Sequence, residues 1–208
     1  MGLLIDLHVH TSRYSRCSQI PPERLIDQAV RAGLDGLVIT EHHVQWSLDE
    51  LEELRQASRH PGFLLLAGFE YTSKQGDLLI YGVEAQEVSR FEPCWPPEQA
   101  VELATQLGGV CIAAHPTRAG LGFDMSIAQL PLVALEVCSV NLQVHERRLA
   151  TKLAEAIGAR QVACSDAHIV QDVGRFATEF DMVIRDTQDL RTALTHGRFR
   201  VAEHRVSA

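Results

Sequence analysis

The sequence predicts an α/β domain whose strands run mainly parallel. Two observations carry that expectation. Short apolar runs alternate with amphipathic segments along the 208 residues, and those segments carry helix punctuation, with Pro or Ser at the start and Gly at the stop.

The elements follow in order. LLIDLHV at 3–9 reads as the first strand. PPERLIDQAVRAG at 21–33 reads as a helix with Pro in its first turn, Leu25, Ile26, Ala29 and Val30 on one face, and Gly33 as its stop. GLVIT at 36–40 is a strand, and SLDELEELRQAS at 47–58 a helix capped by Ser47 with acidic residues in its first turn. FLLLAGFE at 63–70 and LLIYGV at 78–83 are strands, followed by a long loop over 84–97. PPEQAVELATQLGG at 96–109 repeats the Pro-start, Gly-stop pattern. Strands GVCIAAH (109–115), LVALEVC (132–138), RQVACS (160–165) and FDMVI (180–184) complete the set, with helices HERRLATKLAEAIG (145–158) and TQDLRTALTHG (187–197). No repeat, low-complexity tract or linker divides the chain, so one domain over 1–208 is expected, its last few residues frayed.

Bulk properties narrow the function. Hydrophobic residues make up 46% and charged residues 22%, the balance of a globular domain rather than a disordered one. A net charge of −8 argues against a broad nucleic-acid surface. It leaves room for a nucleotide substrate, because bound divalent metals reverse the sign locally. The five cysteines include no C-x-x-C pair, which suits a reducing compartment better than a disulfide framework. No secretory leader and no apolar run of roughly 18 residues stands in the sequence, so a cytoplasmic protein without a membrane partner is expected.

Polar residues at strand ends carry the chemistry. In folds of this class, the loops after strand C-termini converge on one face. His8 and His10 close the first strand, Glu41, His42 and His43 follow GLVIT, Glu70 ends the third run, His115 follows GVCIAA, and Asp166 and His168 follow RQVAC. Alternate residues on a strand share a face, roughly 6 to 7 Å apart at the backbone, so His8 and His10 converge on one cation or on neighbouring cations. Asp166 and His168 repeat that spacing, and Glu70 has two carboxylate oxygens with which to bridge two ions. Taken singly, each has an ordinary explanation, as a loop His, an ion-pair Glu or an N-cap Asp; together, at one end of one sheet, they point to metal. His60, His145, His196 and His204 lie off the pattern and read as loop or surface residues.

These residues resemble the PHP (polymerase and histidinol phosphatase) domain family. Its opening D-x-H-x-H-T is matched by DLHVHT at 6–11, and its T-D-H motif by TEHH, with Glu41 in place of the acid. Its Glu-bearing strand end corresponds to GFEYT, its H-P motif to AAHPTR, and its final D-x-H to SDAH, in the right order over essentially the whole chain. The resemblance implies a distorted (β/α)7 barrel holding two or three Zn, Mn or Fe ions at the strand C-termini. Carried over by position, His8, His10, Glu70 and Asp166 hold the first ion. Glu70 bridges to a second held by His115, and His42 and His168 contribute to a third.

The chain departs from the family pattern in two places. Where relatives supply a further ligand from S-D-G or a third His, this chain has SRYSRCSQ, so Cys17 is either a thiolate ligand or a small buried hydrophobe. Relatives also often place a His between the Glu and H-P motifs; none occurs between residues 61 and 114 here, which leaves Asp77 or water to complete the second ion. The expected activity is hydrolysis of a small phosphate ester or nucleotide through a metal-activated hydroxide. Glu70 and Asp166 serve catalysis through the ions, and His43 is a candidate proton donor to the leaving oxygen. Arg118 and Arg175 are candidate phosphate clamps, and Asp6 and Glu41 candidate supports behind the ligands. Two alternatives keep the metals: an amidohydrolase-like enzyme, which would lack phosphate-binding cations near the site, and a non-catalytic metal-retaining binding protein, which an intact ligand set argues against.

Overall fold

The computed structural model describes residues 2–202. In chain order the elements are β1 (Leu3–Val9), α1 (Pro22–Arg31), β2 (Gly36–His42), α2 (Leu48–Ala57), β3 (Leu64–Ser73), β4 (Gly76–Tyr81), α3 (Pro97–Gln106), β5 (Val110–Ala114), β6 (Ala134–Cys138), α4 (Val144–Ile157), β7 (Gln161–Ala163), β8 (Thr178–Phe180), α5 (Thr187–His196) and β9 (Phe199–Val201). The five helices fall where Pro, Ser and Gly punctuate the sequence. Pro21 and Pro96 precede α1 and α3, Ser47 caps α2 in a reciprocal capping box with Glu50, and Gly158 and Gly197 end α4 and α5 in the left-handed conformation.

One sheet joins all the strands in the order β7-β6-β5-β4-β3-β2-β1-β8-β9. It curls into a nearly closed barrel, because the segment after β7 returns to β1: Val9 bridges Ala167, the Asp166 N–H donates to the His8 carbonyl at 2.8 Å, and the His10 N–H donates to the Ala167 carbonyl at 3.1 Å. The pairings are less parallel than the alternating pattern implies. β1–β2, β2–β3, β5–β6 and β6–β7 are parallel, whereas β4 runs antiparallel to both β3 and β5. The cause is local. Lys74 and Gln75 alone separate β3 from β4, with Gly76 at φ +94°, so the chain reverses in a tight hairpin with no crossover helix. β8 pairs with β1 through Leu3–Phe180 and Ile5–Thr178, which draws it toward the N-terminal side of the apolar run that announces it, and β9 pairs with β8 at the edge.

The core lies on both faces of the curled sheet. Ile5, Leu7, Val38, Leu79, Tyr81 and Ile112 form one buried cluster, and Val9, Leu37, Ile39 and Leu65 pack with Leu25, Ile26 and Leu51 of the helices outside. β1 changes cluster between Leu7 and Val9, where its register with β2 shifts between Asp6 and Val9. That irregularity re-aims the strand at its C-terminal end. Among the described residues no helix is long and apolar enough to cross a membrane.

Candidate metal centre

The strand ends bring the expected ligands into contact. His8 and His10 emerge together from β1, with their Nε2 atoms 3.0 Å apart. The parallel register of β2 and β3 sets His42 opposite Glu70, and His42 Nδ1 lies 3.0 Å from Glu70 Oε2. That same oxygen is 3.2 Å from His10 Nε2 and 3.5 Å from His8 Nε2. Asp166 Oδ1 approaches both imidazoles from the far side, at 3.3 and 3.4 Å. His115 meets the other oxygen of Glu70, Oε1, at 3.1 Å. His168 donates through Nδ1 to the Asp166 carbonyl at 3.0 Å, which leaves its Nε2 lone pair unblocked.

Three groups result, the first and third sharing His10, each with ligand atoms within 4.8 Å of one another: His8, His10 and Asp166; Glu70, Asp77 and His115; and His10, His42 and His168. Asp77 therefore belongs with the second group. It stands at the N-terminal end of β4, yet the reversed direction of that strand carries it to the end of the barrel where the others finish. His115 and Asp166 both sit at positive φ, +28° and +53°, a strained backbone for non-glycine residues and one that turns their side chains into the cavity.

The donor set fits cations. Asp6, Glu41, Glu70, Asp77, Glu136 and Asp166 are all buried, and among the described residues no Lys or Arg is buried with them. Asp77 Oδ1 and His115 Nδ1 are buried without a hydrogen-bond partner. Buried carboxylates of this density require a compensating positive charge, and His/carboxylate groups supply N and O ligands for first-row divalent ions. In the bare protein the imidazoles fill that role. Burial raises the Glu70 pKa, but the His8 charge and hydrogen bonds from His10, His115 and His42 outweigh it and hold Glu70 well below the usual carboxylate range. Asp166 is likewise lowered against the effect of burial, chiefly by His8 and His10.

The residues behind the ligands differ from expectation. Glu41 accepts hydrogen bonds from Thr11, Ser15 and Trp46 Nε1, and Ser15 in turn accepts from His10 Nδ1 at 3.2 Å. It thus orients a ligand at one remove and fixes the tautomer that leaves His10 Nε2 open. Asp6 touches no imidazole. Because of the irregularity in β1, its oxygens face the backbone N–H groups of His8, Ser165 and Gly174, at 3.3, 2.8 and 3.1 Å. It pins the loop after β7 to β1, and burial pushes its pKa up to about 6 despite those hydrogen bonds. Sequence reasoning missed two further supports. Glu136, fully buried on β6, lies 3.1 Å from His8 Nδ1 and accepts from the His115 N–H at 2.7 Å. Asn141 donates to the Asp166 carbonyl and to Asp166 Oδ2, at 2.9 and 2.8 Å. The available signal was an acid set inside the apolar run ALEVC.

The adjoining cavity has a volume of about 390 Å3, and Cys17, Thr72, Arg118, Leu121 and Asn141 line it together with His42, Glu70, Asp77, His115, Asp166 and His168. Arg118 lines the cavity and among the described residues makes no side-chain hydrogen bond or ion pair, its charge reaching Glu146 at longer range. Arg175 does not line it; it is exposed and paired with Asp172 at 3.0 Å, the surface pair that three-residue spacing favours. Cys17 is exposed rather than a packed hydrophobe. It belongs to none of the three ligand groups, and burial together with the charges of Glu70, Asp166 and Glu41 raises its thiol pKa. His43 turns aside: its Nε2 accepts from the Thr72 N–H at 3.4 Å, and its ring packs edge-on to Tyr71. His60 faces Asp27 at 3.7 Å, His196 bonds the Thr192 carbonyl in α5, and His145 lies on α4, all outside the ligand groups. His204 lies outside the described residues.

The chain is similar to known proteins over most of its length. Residues 6–117 match the PHP domain family and residues 144–199 the PHP-associated family. No curated protein sequence matches the chain. Among solved structures, PsfC from Pseudomonas syringae is similar with a TM-score of 0.75 at 20% identity, covering 97% of this chain and 92% of that one. A two-domain protein from Bacteroides vulgatus, containing a predicted PHP-like metal-dependent phosphoesterase, has a TM-score of 0.75 at 19% identity, with 98% of this chain and 65% of that one covered. The lesion-specific endonuclease PfuEndoQ from Pyrococcus furiosus has a TM-score of 0.73 at 16% identity, with 97% and 58% covered.

Proposed function

The chain belongs to the PHP domain family, metal-dependent hydrolases of phosphoesters, and we propose that it hydrolyses a small phosphate ester or nucleotide in the cavity lined by Arg118. One observation carries this reading. Glu70 turns one oxygen to His115 and the other to His8, His10 and His42, in a cavity where Arg118 is the only Lys or Arg among the described lining residues.

His8, His10, Glu70 and Asp166 would hold a first divalent ion, and Glu70, Asp77 and His115 a second; His42 and His168 lie beside His10 where a third would sit. When bound, such ions lower the pKa of water toward 7 and neutralise charge that develops on phosphate oxygens. The protein's own groups supply the rest. Glu136 and Ser15 hold His8 and His10 as Nδ1–H tautomers, so both Nε2 lone pairs point inward. Asn141 fixes the Asp166 carboxylate. Arg118 presents a planar, permanently charged fork that would grip two phosphate oxygens in the cavity it lines. A cavity of about 390 Å3 suits a phosphate with a small organic group. The cysteines, all free, support a cytoplasmic setting.

The test is a panel of phosphomonoesters, nucleotides and amides offered to the Mn- or Zn-loaded protein. Turnover confined to phosphoesters is expected. Turnover of amides alone, or of nothing by a fully loaded protein, would overturn the proposal.

A further inference from the structure

Glu136 stands out among the buried carboxylates because it serves two ligands from opposite halves of the site. Its Oε1 lies 3.1 Å from His8 Nδ1, and its Oε2 accepts from the backbone N–H of His115 at 2.7 Å. Its relative exposure is 0%, and among the described residues the only cationic group within ion-pair distance is His8. His115 is the residue held at φ +28°, so the hydrogen bond from its N–H anchors a backbone conformation that a non-glycine residue does not adopt unaided.

We infer that Glu136 is a positioning residue that couples the two metal positions, setting the tautomer of His8 at the first while holding the His115 backbone at the second. This rests on the metal-centre reading above. Both of its partners are donors, and a carboxylate is the acidic side chain that accepts at both ends. A glutamine of the same shape cannot do this. Its oxygen satisfies one donor and its NH2 faces the other. If the NH2 faces His8, the ring must reverse its tautomer and place a proton on Nε2, the atom that faces Asp166 and Glu70. If it faces His115, an N–H opposes an N–H and the strained turn loses its anchor. Either arrangement damages the site, and a carboxylate behind the imidazole also raises its donor strength toward a cation.

The experiment titrates chelator-stripped wild type and Glu136→Gln with MnCl2 by calorimetry, alongside 15N NMR of the imidazoles. The expected result is two tight Mn2+ in wild type, with both steps weakened about 10- to 100-fold in E136Q. The His8 15N shifts of Zn2+-loaded wild type should report a proton on Nδ1. Weakening of one step alone, or unchanged isotherms, would overturn the inference, as would a His8 proton on Nε2 in Zn2+-loaded wild type, a measurement that stands even if E136Q fails to fold. Wild type that binds no Mn2+ or Zn2+ would instead sink the metal-centre reading on which it rests. An effect on thermal stability without a change in either isotherm also counts against it.

Discussion

Glu70 Oε1 lies 3.1 Å from His115 Nε2, while the other oxygen of the same carboxylate faces His8, His10 and His42. One side chain thus stands between His115 on one side and His8, His10 and His42 on the other, and Glu70→Ala is expected to remove more metal than any other single substitution. Elemental analysis should find fewer than one ion per chain, with phosphoesterase activity lost. A variant that keeps two ions would show that the groups do not share Glu70.

Arg118 is expected to act on substrate and not on metal. Removing one charge-assisted hydrogen bond, worth about 1.5 to 3 kcal/mol, lowers kcat/KM by roughly 10- to 100-fold in Arg118→Ala. Metal content and Tm should stay at wild-type values, and Arg118→Lys should recover part of the loss, since an ammonium keeps the charge without the fork. Steady-state kinetics with an unchanged kcat/KM would assign Arg118 to the surface instead.

Cys17 is exposed and outside the ligand groups, so Cys17→Ser should leave metal stoichiometry unchanged and shift stability by no more than about 0.5 kcal/mol, the usual range for surface positions. A fall of about one ion per chain would make the thiol a ligand after all.

Stripping the metal should create a pH dependence. In the bare protein burial lowers the His115 pKa, but the hydrogen bond and charge of Glu70, with the charges of Glu136 and Asp166, raise it from 6.5 to about 9. His8 and His10 are raised as well, against the same effect of burial, through Asp166, Glu136 and Glu70. A base with a raised folded pKa adds stability that is complete below its unfolded value and is lost as pH climbs through the folded one. The Tm of chelator-treated protein is therefore expected to fall between about pH 6.5 and 9. Glu70 and Asp166 are shifted downward, so their contribution is lost only at much lower pH and does not enter this window. Bound metal displaces the imidazole protons, so the loaded protein should be flatter over the same range. A Tm that rises with pH in the stripped protein would contradict the charge assignment.

The ligands and helices were legible because each depends on local spacing. His8 and His10 sit two apart on a strand, and Pro, Ser and Gly mark helix ends within a turn. What escaped depends on partners far away in the chain. Glu136 is 128 residues from His8, and an acid in ALEVC acquires meaning only when β6 closes against β1. Asp77 was reached through the family pattern and not through the strand-end rule, because β4 runs backwards and presents its first residues at the functional end. Asp6 shows the opposite failure. Alternation puts it on the same face as His8, and only the register shift in β1 sends its carboxylate to the backbone of Ser165 and Gly174. Arg175 looked equivalent to Arg118 in sequence, but Asp172 lies within reach on the same short turn and takes its charge.

The proposed function is hydrolysis of phosphoesters through cations bound at the His/carboxylate cluster. Its most direct test is the rate of phosphate release from an aryl phosphate by one preparation, measured as purified, after chelation, and after reloading with Mn2+ or Zn2+. Hydrolysis is expected to disappear on chelation and to return on reloading, in step with the recovery of about two ions per chain. Hydrolysis that survives complete removal of metal would contradict it, as would the absence of hydrolysis of any phosphoester by protein carrying both ions.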